Sequence, residues 1–430
     1  MLLSFSVENW RSFKEKTELS LLAGRERQHS ERLLAIPGSK EKALPVALMY
    51  GGNGSGKSNF FKALIFLKNL IVKGTAHGRP ILVEPFRLCP ETLAQPSCFS
   101  LVIQIEEMRY FFYLALNRSG VVEERLERGR KGKKEVIYKR TGQKFQLGRV
   151  FQKNSFLKYV CQGTRANQLF LTNAVEQNVA ELEPLYGWFL HQLVLIAPET
   201  RFDFPQSLTQ LAPLLEQINR MLPLLDTGIS RIAFRKMPPG AVMVPEEVRL
   251  RVLDELEDNG YIRVFDAMQR QQWFFSQRQG ELVAYKLVSY HNCDDGSEIE
   301  FDLKDESDGT NRILDLLPAF LAMSKSSLQR VYFIDELDRS LHSQLTRYLL
   351  EVYLQSIREG GANQLLVVTH DTLLMDQNLF RRDEIWLAER KQQGETQFAS
   401  LQKQESIRYD KDVRRSYLQG SLGGVPRLLG

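Results

Sequence analysis

Alternating and continuous apolar runs at the start of the chain predict two half-buried strands, then a fully buried strand and helix. Residues 2–7 and 17–22 alternate between apolar and polar side chains, which is the period of a strand with one buried face. Residues 44–50 are almost continuously apolar, as in a strand covered on both faces. Apolar residues within 60–71 lie around most of a predicted helix that ends before Gly74, so we expect this helix to be buried between two layers.

The middle of the chain changes from a strand pattern to a mostly helical one. Short runs of β-branched and aromatic residues separated by turns predict an antiparallel meander at Ser100–Ile105, Tyr110–Leu116, Val121–Glu127 and Glu135–Arg140. Helical spacing follows at Asn178–Leu195, Ser207–Leu222 and Pro245–Leu256, with a strand predicted at Gly228–Met237. No heptad pattern is sustained, so no long coiled-coil arm is expected.

The last third of the chain returns to strands that alternate with helices. The predicted strands are Gln272–Ser276, Leu282–His291, Ile299–Leu303, Val331–Ile334, Gln364–Thr369, Ile385–Glu389 and Gln397–Leu401. The predicted helices are Ile313–Met323, Leu341–Arg358 and Tyr409–Leu418. This alternation predicts an α/β fold. We expect an N-terminal lobe with an antiparallel β subdomain (1–150), a mostly helical insertion (151–270) and a C-terminal lobe (271–430).

Composition restricts the compartment and the class of site. The four cysteines are scattered without a C-x-x-C pair, which argues against a zinc site and fits a reducing cytosol. The first residues lack the basic stretch of a signal peptide, and no apolar run approaches the roughly 20 residues that span a bilayer. The sequence therefore predicts a cytoplasmic protein without a membrane segment.

Charge is unevenly distributed along the chain. The formal net charge is +5, whereas residues 125–149 carry ten Lys or Arg and two Glu, a local +8 that leaves −3 for the remainder. The basic tip between the last two strands of the meander either contacts nucleic acid or is a solvated hairpin turn. Both interpretations are retained.

The apolar run at 44–50 leads into a glycine-rich segment with the spacing G-x-x-x-x-G-K-S. Glycines allow successive backbone N–H groups to surround phosphate oxygens, and the following helix directs its positive end to the same place. The lysine reaches the β- and γ-phosphates, and the serine hydroxyl suits Mg²⁺. We expect nucleoside triphosphate binding by Gly51, Asn53, Gly54, Ser55, Gly56, Lys57, Ser58 and Asn59.

Three further positions complete the predicted chemistry. The buried run at 331–334 ends in Asp335, which we expect to hold Mg²⁺ together with Ser58, and in Glu336, a general base for the attacking water. His370 ends the next predicted strand, where it can hydrogen-bond the γ-phosphate. Ser307 and Gly309 stand at a predicted helix start and suggest a second anion cradle.

The order of these motifs resembles the ABC-type ATPase heads of chromosome-structure and recombination-repair ATPases. That resemblance implies an ABC-type ATPase head fold that uses ATP and Mg²⁺, with Glu336 and His370 as the catalytic base and switch histidine. It further implies that Ser307 and Gly309 bind the nucleotide of an opposite subunit in a head-to-tail ATP-sandwich dimer or a higher oligomer. The segment Asn9–Phe13 resembles a motif after the first strand of those heads, which places Arg11 near the nucleotide.

This sequence departs from the family pattern at three places. Ser307, the serine of the family's signature motif, is flanked by Glu306 and Asp308, where transporter ATPases have Leu and Gly. His342 stands where the family usually has an aspartate after the two Walker B acids, here Asp335 and Glu336. The resemblance also implies a lid glutamine between the phosphate loop and the signature motif. Gln104 and Glu84 lie in that interval, but neither has a motif around it.

Over nearly its whole length the chain also resembles stand-alone AAA-type ATPases of abortive-infection and anti-phage operons. The residues that carry this likeness include Glu84–Leu88, Glu306–Thr310, Ile334–His342 and a terminal Gly-x-Leu-Gly-Gly-Val-Pro. The resemblance implies a separately encoded effector, such as a Toprim-type nuclease, controlled by ATP-dependent dimerisation. The alternative is a repair or recombination ATPase that clamps nucleic acid directly through residues 125–149.

Overall fold

The computed structural model describes residues 1–130, 132–149, 151, 155–201, 208–238, 242, 252, 256, 260–266, 271–278, 281–325, 329–403 and 412–424. The chain divides into two compact units. The first comprises Met1–Pro198, Ser326–Asp338 and Leu350–Gly430, and the second comprises Glu199–Lys325 and Arg339–Leu349. The three-part division at residues 150 and 270 stays a prediction.

The strands are β1 Leu2–Glu8, β2 Thr17–Ser20, β3 Leu34–Ala35, β4 Lys42–Ala43, β5 Val46–Tyr50, β6 Ser97–Ile105, β7 Met108–Asn117, β8 Gly120–Arg130, β9 Lys133–Thr141, β10 Lys144–Leu147, β11 Leu193–Ile196, β12 Ile229–Lys236, β13 Ile262–Asp266, β14 Gln271–Arg278, β15 Glu281–Asn292, β16 Glu298–Asp302, β17 Val331–Ile334, β18 Gln364–Val368, β19 Ile385–Arg390 and β20 Thr396–Ser400. The α-helices are α1 Lys57–Val72, α2 Pro90–Leu93, α3 Ser155–Gly163, α4 Phe170–Glu176, α5 Glu183–Gly187, α6 Leu208–Met221, α7 Asp308–Lys325, α8 Ser343–Arg358 and α9 Val413–Leu418. The predicted α/β class is confirmed.

A six-stranded sheet forms one layer of the first unit. Its order is β11-β17-β18-β5-β19-β20, and only β20 runs antiparallel to its neighbour. Strands β5, β17 and β18 are buried at every residue, as their continuous apolar sequences predict. Because parallel strands end at the same edge, the segments that follow these three strands are brought together.

A seven-stranded antiparallel sheet forms the second layer, in the order β10-β9-β8-β7-β6-β1-β2. The predicted meander is therefore confirmed as β6 to β9, with β1 added beside β6. Helix α1 lies between the layers. Phe61 packs edge-on against Phe333 of the parallel sheet at 5.0 Å, and Phe60 packs against Phe5 of β1 at 4.9 Å. Burial on both sides explains why apolar residues lie around most of this helix.

The helix predicted at Asn178–Leu195 is wrong at its end, where Leu193–Leu195 belong to a strand. Helix α5 ends at Gly187 and a π-helical turn covers Trp188–Gln192, after which the chain forms β11. The run Leu193–Ile196 pairs in parallel with β17, so tertiary pairing outweighs the local helical spacing.

The second unit contains its own sheet, in the order β12-β15-β14-β13 with β16 beside β15. Predicted strands at 228–237, 272–276, 282–291 and 299–303 correspond to β12, β14, β15 and β16. Apolar residues of α6 and α7 pack on this sheet in one core that includes Ile218, Leu317, Ile232 and Leu287.

Some predicted helical residues cannot be compared with the structure. The helix predicted at Pro245–Leu256 lies outside the described residues apart from Val252 and Leu256, and so do residues 409–411 of the last helix. Within the described ranges, no helix has the length and apolar character needed to cross a membrane.

A buried acid connects the antiparallel sheet to α4. Glu124 on β8 accepts the backbone N–H groups of Phe170 and Leu171 at 2.7 and 3.0 Å, and the Tyr138 hydroxyl at 2.9 Å. Arg140 is equally buried, lies 3.8 Å away and donates to the carbonyls of 142, 165 and 168. Burial raises the pKa of Glu124 against the opposing effect of these donors.

We expect Glu124→Gln to lower the free energy of unfolding by about 1–3 kcal/mol, because an amide cannot accept all of these bonds and leaves Arg140 less well compensated. Urea unfolding followed by circular dichroism measures the change. Glu123→Gln is the matched control, since Glu123 pairs only with half-exposed Lys139 at 3.7 Å; it should change stability by less than about 0.5 kcal/mol. Equal effects from both variants would contradict the assignment.

Candidate functional site

The glycine-rich segment forms the turn between β5 and α1 that its sequence predicts. Gly54 and Gly56 have φ values of 73° and 100°, in the left-handed region that glycine tolerates. A Cβ at Gly56 would also lie 2.1 Å from the Thr396 hydroxyl oxygen. Helix α1 begins at Lys57, so its first N–H groups and its positive end face this turn. Asn53 and Gly54 are exposed at the tip, whereas Ser55 is buried.

Lys57 is folded back onto the loop that it follows. Its ammonium group donates to the carbonyl oxygens of Gly51 at 2.7 Å and Gly52 at 3.1 Å, and its side chain is buried. Burial lowers the pKa of Lys57 to about 8, although the nearby carboxylates of Asp335, Asp338 and Glu336 favour its charged form. The cation therefore lies at the loop, near the acids that follow β17, two strands away from β5 in the sheet.

Ser58 and Asp335 lie in direct contact. The Ser58 hydroxyl donates to Asp335 Oδ1 at 3.1 Å, and the backbone N–H of Asp335 donates to the Ile196 carbonyl at 2.9 Å. Burial is the main reason that the pKa of Asp335 rises to about 6. In the described part of the chain, no group of three His, Cys, Asp or Glu could hold a metal ion by itself. One hydroxyl and one carboxylate fit Mg²⁺, which usually takes few protein ligands and completes its shell with phosphate and water oxygens.

Glu336 and His370 occupy the same edge of the sheet. Glu336 follows β17 with a φ of 50°, an uncommon conformation for a residue with a side chain. His370 follows β18, and its backbone N–H donates to both carboxylate oxygens of Asp338 at 3.2 and 3.3 Å. Partial burial and the Lys57 charge lower the pKa of His370, against Asp338 and Glu336. Sequence analysis assigned no role to Asp338.

The N-terminal motif supports the back of the phosphate loop. The Ser12 hydroxyl bonds Asn59 Nδ2 and Thr396 Oγ1, each at 2.9 Å, and Thr396 donates to the Ser55 carbonyl at 2.9 Å. Trp10 Nε1 donates to the Asn59 carbonyl at 3.1 Å. Asn59, predicted to bind nucleotide, therefore has a supporting contact in this structure. Ser12 stood within the predicted motif, but Thr396 had no local signal because it lies 340 residues from the loop.

Arg11 lines a cavity of about 410 Å³ that also borders Gly54, Asn59 and Arg390. Its guanidinium pairs with Glu84 and lies 5.4 Å from the Trp10 ring centroid. Arg11 thus lies beside the loop, and its contact with the nucleotide stays a prediction. Glu84, a lid candidate, is the partner of Arg11.

The other lid candidate, Gln104, is buried on β6. Its amide donates to the carbonyls of Pro37 and Glu106, neither of which belongs to the phosphate loop. Gln104 therefore has a structural role at the end of the antiparallel sheet.

Ser307 and Gly309 lie in the second unit, at the start of α7. The Ser307 hydroxyl accepts the Thr310 N–H at 3.1 Å, as a helix-capping side chain does. A Cβ at Gly309 would lie 2.6 Å from the Ser340 carbonyl oxygen, so close backbone approach already requires glycine there. Their contribution to a nucleotide site stays a prediction.

Comparison with known families gives one match over most of the chain. A family model described as "AAA domain, putative AbiEii toxin, Type IV TA system" matches residues 46–376, which include every predicted site residue except Arg11. A search of curated proteins gave no match.

A comparison with solved structures gives matches that include two SMC heads of low identity. The SMC head domain from Thermotoga maritima is similar at 12% identity and a TM-score of 0.35, over 93% of this chain and 98% of that chain. An SmcHead bound to the C-winged helix domain of ScpA is similar at 10% identity and a TM-score of 0.44, over 94% and 99%. Both scores are low, so neither likeness carries an argument about function.

We expect Lys57→Met to raise the pKa of His370, because removing a nearby cation favours the imidazolium form. An NMR titration of the nucleotide-free protein measures the pKa, with the resonance assigned by a His370→Gln variant. Lys62→Met is the control: Lys62 is an exposed cation on the same helix, so its removal should change the pKa of His370 much less than removal of Lys57. An unchanged His370 pKa in Lys57→Met would contradict the described cluster.

Proposed function

Because the chain belongs to the family of AAA domains described as putative AbiEii toxins of Type IV TA systems, we propose that it is an ABC-type ATPase acting in anti-phage defence. ATP-dependent dimerisation of this chain controls a partner effector, such as a Toprim-type nuclease. The observation that carries the ATPase part is the Ser58–Asp335 contact beside buried Lys57, with Glu336 at the same sheet edge.

Nucleotide binding begins at the helix start. Backbone N–H groups of the loop and of α1 bind the phosphates, while the Lys57 ammonium exchanges its bonds with Gly51 and Gly52 for bonds to phosphate oxygens. Ser58 and Asp335 hold Mg²⁺, which neutralises charge on the β- and γ-phosphates. The raised pKa of Asp335 fits this assignment, because burial disfavours its charged form and a divalent cation would favour it.

Hydrolysis then depends on two residues. Glu336 accepts a proton from the attacking water, and its side chain lies near enough to Lys57 to favour the lysine's charge. His370 donates a hydrogen bond to the γ-phosphate. The pKa of His370 is lowered in the nucleotide-free protein, so neutral imidazole is its resting form at neutral pH.

Dimerisation completes the site in this proposal. Ser307 and Gly309 of a second copy contact the γ-phosphate, and the capped start of α7 supplies a polarity suited to an anion. ATP bound by residues of both chains thereby stabilises the dimer, and hydrolysis allows the two chains to dissociate. An effector that binds only one of the two forms is switched by the nucleotide.

The second candidate function is a nucleic-acid clamp, favoured by a basic cavity at the β8–β9 hairpin. The cavity has a volume of about 440 Å³ and is bordered by Lys40, Arg109, Lys133 and Lys134, with Glu41 and Glu107. Lys134 lies 3.7 Å from the Phe111 ring centroid.

Ion pairing weakens that candidate. Within residues 125–149 the structure pairs Arg125, Arg128, Arg130, Lys139 and Arg140 with glutamates. Lys131 lies outside the described residues. We therefore favour control of an effector over direct clamping.

We expect Glu336→Gln to bind ATP and accumulate as a dimer while turnover falls at least about 100-fold, the usual contribution of a general base. Lys57→Ala should lose ATP binding because no cation then faces the phosphates. Phosphate release, calorimetric titration and light scattering measure the three properties. Parental hydrolysis by Glu336→Gln would remove the base assignment, and monomeric Glu336→Gln at saturating ATP would remove the dimer.

Nucleic acid should leave the ATPase rate unchanged if an effector is the partner. The rate is measured with and without DNA or RNA, for the parent and for the double variant Lys133→Glu/Lys134→Glu. Lys14→Glu/Lys16→Glu is a control of equal charge change on a separate segment. Stimulation that only the hairpin variant abolishes would favour the clamp over the effector.

A further inference from the structure

The described end of the chain packs directly on the phosphate loop. The carbonyl oxygen of Gly424 accepts the backbone N–H of Gly52 at 2.7 Å. The same oxygen accepts the Tyr417 hydroxyl at 3.1 Å, and the Tyr417 ring lies 6.4 Å from that of Tyr50, the last residue of β5. These contacts join residues more than 360 positions apart.

Both backbone polar groups of Gly52 are hydrogen-bonded within the protein. Its carbonyl oxygen accepts from Lys57 Nζ at 3.1 Å and from the Ser55 N–H at 3.2 Å, while its own N–H is taken by Gly424. A backbone N–H that already has a good partner is not offered to a ligand. The contact therefore fixes the first turn of the loop and leaves the N–H groups at the start of α1 for phosphate.

The segment Tyr417–Gly424 lies close to the phosphate loop. Gly424 has a φ of 75°, and a Cβ there would lie 3.4 Å from both the Ala388 carbonyl oxygen and the Tyr417 ring, and 3.8 Å from Gly51 Cα. Tyr417 is buried, and the turn after α9 is closed by bonds from Gly420 and Ser421 back to the helix. The segment thus presents a defined carbonyl to Gly52.

We propose that the segment Tyr417–Gly424 is a positioning element of the phosphate loop, in which the Tyr417 hydroxyl orients the Gly424 carbonyl and that carbonyl holds Gly52. This inference rests on the proposed ATP binding and gives a role to the terminal Gly-x-Leu-Gly-Gly segment, to which the sequence motif alone assigned none. A loop already held in its binding conformation loses less conformational freedom when it binds phosphate, so the contact increases ATP affinity.

The chain offers a matched pair of glycines for the test. Gly420 has the same φ of 75° as Gly424, but a Cβ at Gly420 would have no atom within 4 Å. Gly420→Ala therefore introduces backbone strain away from the loop, whereas Gly424→Ala introduces the same strain at the residue whose carbonyl accepts the Gly52 N–H. Tyr417→Phe removes only the hydroxyl that orients the carbonyl.

Calorimetric titration with Mg-ATP should give a Kd about 10-fold higher for Gly424→Ala and about 3- to 5-fold higher for Tyr417→Phe, as expected for losing one or two hydrogen bonds. Gly420→Ala should stay within about twofold of the parent. At saturating ATP the kcat of all three should match the parent, and melting temperatures show that each is folded. A role in general stability would lower kcat and melting temperature together.

Three results of the titration would overturn the proposal. They are an unchanged Kd in Gly424→Ala, a lower Kd in that variant, which would mean that the segment obstructs the loop, and equal weakening in Gly420→Ala. Amide hydrogen exchange of the peptide 46–58, measured without nucleotide, is independent of ATP binding. It should be faster in Gly424→Ala than in Gly420→Ala, and equal exchange would overturn the proposal. A parent that does not bind ATP would instead refute the proposed function.

Discussion

The burial of α1 between two sheets is the constraint on which the site depends. Phe61 packs against the parallel sheet and Phe60 against the antiparallel one, so the helix has little freedom to rotate or slide. Its first residues, Lys57 and Ser58, are consequently fixed at the edge where β17 and β18 end. The hydrophobic effect acting on apolar rings in the first turns of α1 thus fixes the positions of the polar atoms at the start of the same helix.

Much of this arrangement is readable from local sequence, because continuous apolar runs and a glycine-rich turn have few structural interpretations. The runs at β5, β17 and β18 were predicted within a residue or two. The prediction failed at Leu193–Ile196, where helical spacing continued but an open position beside β17 made a strand more favourable. A single sequence carries no signal for such pairing between residues 140 positions apart.

The polar supports of the site were the least predictable part. Thr396 and Gly424 contact the loop through one hydroxyl and one carbonyl. No local pattern marks Thr396, and the terminal motif that contains Gly424 does not indicate a contact with the loop. Ser12 lies inside a predicted motif, but that motif indicated a role for the charged Arg11 beside it and none for Ser12. Gly309 shows the converse, since close approach to Ser340 would demand glycine whether or not a nucleotide is bound nearby.

Ion pairing, including the buried pair of Arg140 and Glu124, reduces the positive charge that residues 125–149 present to a polyanion. Five cations of the basic stretch are balanced by glutamates, and Arg140 is wholly enclosed. A polyanion on this surface would displace ions mainly around Lys40, Lys133 and Lys134. About three counterions would then be released at this cavity, so the slope of log affinity against log salt concentration would be about −3, compared with about −7 for a local charge of +8. This region should therefore attract a polyanion more weakly than its sequence charge suggests.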